Sequence, residues 1–90
     1  MSKEYWVKRL WKAIPESEKG TKKRLMALRM LAHFRDHEKL TSDNITAIAR
    51  GTRLRQDDRD EVLDIMRTLK LMRKVKNTQA FKCPKSLFRS

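Results

Sequence analysis

Ninety residues with 23 Lys+Arg against 11 Asp+Glu give a formal net charge of +12. This length suits one small domain, and a chain that is 39% hydrophobic and 38% charged builds a thin core with no room for a deep, dry active site. Such a charge repels itself in the folded state, which points to an anionic partner: nucleic acid first, then an anionic membrane or an acidic protein face.

Residues 3–14 have the pattern of a short amphipathic helix. Trp6, Leu10 and Ala13 recur at i, i+4 and i+7, and Val7, Trp11 and Ile14 repeat that spacing one residue along. Lys3, Glu4, Lys8, Arg9 and Lys12 take the opposite face. Pro15 stops this helix, because the residue before a proline avoids the right-handed helical region. Residues 15–20 then read as a loop. A second helix is predicted over 21–37, with Leu25, Leu28, Leu31 and Ala32 on the core face, widened by Met26, Met30 and Phe34. Lys22, Lys23, Arg24 and Arg29 are expected to face water.

A third, short helix is predicted over 43–50, capped by Ser42 or Thr41 and buried through Ile45, Ile48 and Ala49. Gly51 is its expected stop. A fourth begins near Asp58, where Asp58 and Glu61 have the spacing of a capping box, and turns Val62, Ile65, Met66 and Leu69 to the core. After Leu71 and Met72 the period changes. Residues 73–76 and 80–82 flank Asn77, Thr78 and Gln79, and a three-residue loop would set Val75 opposite Phe81 with both inward and Lys74 and Lys82 outward. The expected fold is mostly α with a small C-terminal β-hairpin. With two glycines, two prolines and no repeat, it is expected to form one domain over 1–90, ending in a basic tail, 84–90, that Leu87 and Phe88 can anchor.

Helix, short helix, helix and basic hairpin over 21–83 resemble the winged helix-turn-helix DNA-binding superfamily. Leu40 and Thr41 before the short helix, Ile45, Ile48, Ala49 and Gly51 along it, and Met66, Leu71 and Met72 leading into the hairpin carry the resemblance. The last stretch is similar to the L-x-x-x-G-L-I exit of many winged-helix regulators, with Lys70 in place of the glycine. Residues 3–14 would be an extra helix over that core. Asp57, Asp58 and Asp60 occupy positions where a compact helix-turn-helix is apolar, so the turn is expected to be lengthened to about 52–57.

The charge is divided unevenly. Residues 1–35 carry ten Lys/Arg against three Glu, 36–64 five against eight acids, and 65–90 eight against none. A function based on charge must therefore use the two ends. Arg73, Lys74, Lys76, Lys82, Lys85 and Arg89 form the leading phosphate-binding candidate, weighed against a solvated face that only keeps the protein soluble. Arg50, Arg53 and Arg55 bracket the turn, where each can hold a phosphate or guanine with two parallel donors, or else pair with Asp57, Asp58 and Asp60. Lys22, Lys23 and Arg24 extend the footprint. Against base reading stand Asp57, Asp58, Asp60, Glu61 and Asp64, at the end of a helix that would enter the major groove. Such acids can instead cap the helix and complement its dipole, or meet a basic partner protein.

Trp6 and Trp11 on a basic amphipathic segment suit either a membrane-surface helix or, better for so short a segment, packing on the core or a homodimer contact. His33 and His37 are four apart, but no further ligands accompany them, so no metal is expected. Cys83 is the single cysteine, which excludes an internal disulfide and fits a reducing, cytoplasmic setting. Basic surroundings would lower its pKa, although no motif supports nucleophilic chemistry. Apolar runs are too short to span a membrane, and 1–12 carries charges where a signal peptide needs its apolar stretch. Without phosphate loops, nucleophile elbows or triad signatures, the chain is expected to be no enzyme and to need no cofactor. The leading expectation is a double-stranded DNA binder acting mainly through phosphates, by analogy a phage- or plasmid-type regulator. The alternative is an inhibitor or adaptor that binds a protein through the acidic patch or the basic ends.

Overall fold

Leu10 and Ile14, one helical turn apart and both buried, set the first helix against the rest of the protein. The computed structural model describes the backbone of residues 3–83 and the side chains of residues 7–83. Helix α1 (Lys3–Ala13) ends just before Pro15, as its sequence requires. Its last carbonyls are held from outside: Arg24 Nε donates to the carbonyl of Ile14 at 2.9 Å and Nη2 to that of Trp11 at 3.4 Å, while the guanidinium lies 4.7 Å from the Trp11 ring. A cation at a helix C-terminus, stacked on an indole, is a favourable use of arginine. Arg24 thus turns to the core edge rather than to water.

Helix α2 (Glu18–Asp36) starts three residues earlier than the spacing of its apolar residues suggests. Ser17 is the N-cap, its hydroxyl accepting from the Gly20 amide at 2.8 Å, so the predicted loop over 15–20 is half helix. Gly20 is fixed by crowding: a Cβ there would lie 2.0 Å from the Pro15 carbonyl oxygen. Helix propensity alone favours alanine by about 1 kcal/mol, but forcing that contact apart costs about 1–3 kcal/mol. Gly20→Ala is therefore expected to lower the melting temperature, and a rise would mean that the Pro15 loop moves aside freely. The buried face of α2 is Met26, Ala27, Met30, Leu31 and Phe34. The expected core residues Leu25 and Ala32 are exposed and Leu28 is half-buried, because the helix is rotated toward the methionines.

Strand β1 (Lys39–Leu40) follows, then α3 (Ser42–Thr52), α4 (Gln56–Thr68), β2 (Arg73–Lys74) and β3 (Phe81–Lys82). Thr41 caps α3 through a capping box with Asn44: the Asn44 amide donates to Oγ1 at 3.2 Å and the Thr41 amide to Asn44 Oδ1 at 3.0 Å. Gly51 does not stop the helix. It lies within α3, where the missing side chain admits Arg29, and a Cβ there would stand 2.6 Å from Nη1 of that residue. The chain turns at Arg53 instead, which takes a left-handed φ of 59°. Buried Thr52 and Leu54 flank that turn and hold it.

The connection to α4 is short, Arg53–Leu54–Arg55, rather than the lengthened turn over 52–57. Arg55 is the N-cap and supplies no side-chain cap. The expected Asp58–Glu61 capping box is absent because α4 begins two residues earlier and both carboxylates turn to Lys23 of α2. At the far end the Lys70 amide donates to the Arg67 carbonyl and the Leu71 amide to that of Met66, with Lys70 left-handed at φ 60°. This is the Schellman arrangement, with a lysine where glycine is usual and buried Leu71 closing over Met66.

The three strands form one antiparallel sheet in the order β1-β3-β2. Lys39 faces Lys82 and Leu40 faces Phe81; Arg73 faces Lys82 and Lys74 faces Phe81. The hairpin register is one residue away from the expected Val75–Phe81 pair, because the loop holds four residues, 76–79. Thr78 donates its amide to the Val75 carbonyl at 3.1 Å, with Asn77 left-handed at φ 65° in the position a type II turn demands. Leu40, Val62, Met66, Leu71, Met72 and Phe81 join the α2 face and Leu10 in one core, with Trp11, Ile45, Ile48, Ile65 and Leu69 packed at its edge. Among the described residues no helix is long and apolar enough to cross a membrane.

Candidate nucleic-acid interface

Two basic regions lie at opposite ends of α4. At its start, Arg50 is in the last turn of α3, Arg53 is the left-handed cap and Arg55 is the N-cap of α4; all three are exposed. Among the described residues none of them pairs with a carboxylate, so the expected competition from Asp57, Asp58 and Asp60 is absent. The local geometry explains this. Asp58 and Glu61 point back to α2, and Asp60 accepts from Gln56 Nε2 at 2.9 Å. Arg59, one turn past Arg55, is also committed: its Nε donates to the carbonyl of Leu54 at 3.0 Å.

At the other end of α4, Asp64, Arg67 and Thr68 join Met72, Arg73 and Lys74 around a shallow open concavity of about 420 Å³. Arg67 lies 6.0 Å from the ring of Phe81, which brings the helix to the hairpin. Arg73, Lys74 and Lys76 are exposed and, among the described residues, without an acidic partner. Lys82 differs, because its ammonium is 3.0 Å from Glu38 across the sheet. Lys85 and Arg89, with the rest of the basic tail, lie outside the described residues.

Of the cations expected on α2, Lys23 and Arg24 have structural roles. Lys23 bridges Asp58 at 3.7 Å and Glu61 more closely still. The hydrogen bond to Glu61 raises the Lys23 pKa above the ordinary lysine value of 10.5. Its contribution to stability is therefore fully present at neutral pH and is lost only as pH rises through that raised value. Arg24 caps α1, and Lys22 is half-buried. Of the five acids in the expected patch, only Asp57 and Asp64 are exposed without a hydrogen-bonded or ionic partner among the described residues.

Trp11 is half-buried beneath Arg24 and against the core, the packing role weighed for it; the side chain of Trp6 lies outside the described residues. His33 and His37 stack with ring centroids 4.5 Å apart, and Nε2 of His33 lies 2.7 Å from the Lys39 carbonyl, tying α2 to β1. No cluster of three metal-ligating side chains occurs among the described residues. Burial pushes the Cys83 thiol up to about 12, the opposite of a basic environment's effect. Raised from 9.0 to about 12, it is expected to alkylate at pH 8 at least ~100-fold more slowly in the folded protein than in urea. Comparable rates, read by mass spectrometry, would mean that the thiol is not desolvated.

Sequence reasoning missed Arg29 and Arg67. The exposed position of Arg67, three residues past Asp64 on the solvent side of α4, was a readable signal. Arg29 gave none, because its place beside Gly51 depends on how α2 and α3 pack. No protein-family model, curated protein or solved structure matches this chain.

Proposed function

We propose that this chain is a winged helix-turn-helix protein that binds double-stranded DNA mainly through its phosphates, in the manner of a small DNA regulator. The observation that carries the reading is the row of exposed, acid-free cations Arg73, Lys74 and Lys76 on a hairpin fixed by a third strand. An isolated two-stranded hairpin is marginal in water, so β1 gives the basic loop a constant position beside α4. The order helix, strand, helix, helix, strand, strand suits such a domain.

Duplex is favoured over single strands on a second ground. Single-strand binding relies on exposed aromatic platforms, and among residues 7–83 Phe34 and Phe81 are buried and Trp11 is half-buried. Base reading contributes little in this mode, because Asp57 and Asp64 remain on the outer face of α4.

The test is a fluorescence titration of labelled duplex, single strand and RNA at several salt concentrations. If about five phosphates are neutralised, log K for duplex falls against log salt with a slope near −4.5. Salt-independent affinity, or no duplex binding at low salt, overturns the reading.

A further inference from the structure

We propose that the protein grips duplex at two separate phosphate sites, one at each end of α4, so that the helix bridges a groove with its acidic face held off the backbone. This rests on the phosphate-binding reading above and adds its geometry and two residues.

The first site is built on packing that the sequence does not reveal. Arg29 comes from α2, yet its guanidinium reaches Gly51 near the end of α3. It therefore stands at the end of α3 from which Arg53 and Arg55 follow, with Arg50 next to Gly51 in the chain, and all four are exposed. Among the described residues none of them has a carboxylate partner. The second site is the concavity where Arg67 meets Arg73 and Lys74, with Phe81 beneath the Arg67 guanidinium. Among the described residues Asp64 is the one carboxylate on its rim.

The distance between the sites follows from α4 itself. Thirteen helical residues at 1.5 Å each span about 20 Å. The major groove is about 12 Å wide, so a helix of that length reaches the strands on both sides of it. Between the sites the helix offers Asp57 and Asp60. Laid along a phosphate backbone these carboxylates would be repelled; over an open groove they are not in contact with phosphate. The charge order along α4, basic, acidic, basic, therefore selects a pose across the groove.

The experiment uses the full chain and a duplex of about 15 base pairs. Arg29→Gln/Arg50→Gln/Arg55→Gln removes the first site, and Arg67→Gln/Arg73→Gln/Lys74→Gln the second. Lys8→Gln/Lys12→Gln/Lys19→Gln removes equal charge from exposed positions on α1 and the start of α2. Each site variant is expected to reduce the salt slope by about 2–3 and to weaken binding at least tenfold more than the α1/α2 control. Amide shifts of the unaltered protein on adding duplex are expected at 51–55 and at 68–74, which gives an answer even if a variant fails to fold. A turn variant indistinguishable from the control, or shifts confined to one end, overturns the two-site grip and leaves phosphate binding standing. Absence of duplex binding by the unaltered protein overturns both.

Discussion

Leu40→Ala is expected to lower the free energy of unfolding by about 3–4 kcal/mol, the range for a fully buried leucine whose site collapses only in part. Leu40 has no exposed surface, pairs with Phe81 across β1 and β3, and lies where the sheet meets the helices. A chain of this size has a total stability of only about 5–13 kcal/mol, so the loss is a large part of it. Urea titration followed by far-ultraviolet circular dichroism measures it directly. A change below about 1 kcal/mol would mean that β1 is not part of the cooperative core. The same variant should weaken duplex binding before it unfolds, since the hairpin then loses its attachment.

Arg73→Gln/Lys74→Gln/Lys76→Gln is expected to weaken duplex binding about 500-fold at 0.1 M salt, with almost no change in stability. Each phosphate left without its cation takes about 0.9 off the salt slope, which at that concentration is roughly eightfold per phosphate, compounding over three. All three side chains are exposed and none supports the core, so the melting temperature is expected to shift by only a few degrees. Because the effect comes from counterions, it should shrink as salt rises. A salt-independent weakening of similar size would point to a disturbed fold instead of missing phosphate neutralisation.

The helices were legible because their signals are local. Pro15, the threonine cap of α3 and the alternation of the apolar residues lie within a turn of the features they specify. The errors came where a distant residue competes with a local one. Asp58 and Glu61 have capping-box spacing, but Lys23, more than thirty residues away in sequence, takes both carboxylates. Gly51 is a natural helix stop, yet α2 presses Arg29 into the space it leaves. Lys70 shows the reverse case. The turn after α4 needs a left-handed residue whatever its identity, and the protein tolerates lysine there at a cost of about 1 kcal/mol. Of the candidate site, the exposed hairpin and turn cations were readable as charge, whereas the engagement of Lys23, Arg24 and Lys82 with the fold depends on tertiary contacts.

The pairing of β1 with β3 also governs the order of assembly. Leu40 and Phe81 are separated by some forty residues, and everything between them must be arranged before their strands can meet. Closing a loop of that length precedes any reward from the contact, so this sheet forms late, after the local helices. Docking of the basic hairpin onto β1 is thus the late step of assembly. The hairpin amides should exchange with solvent faster than those of α2, and bound duplex should slow them most.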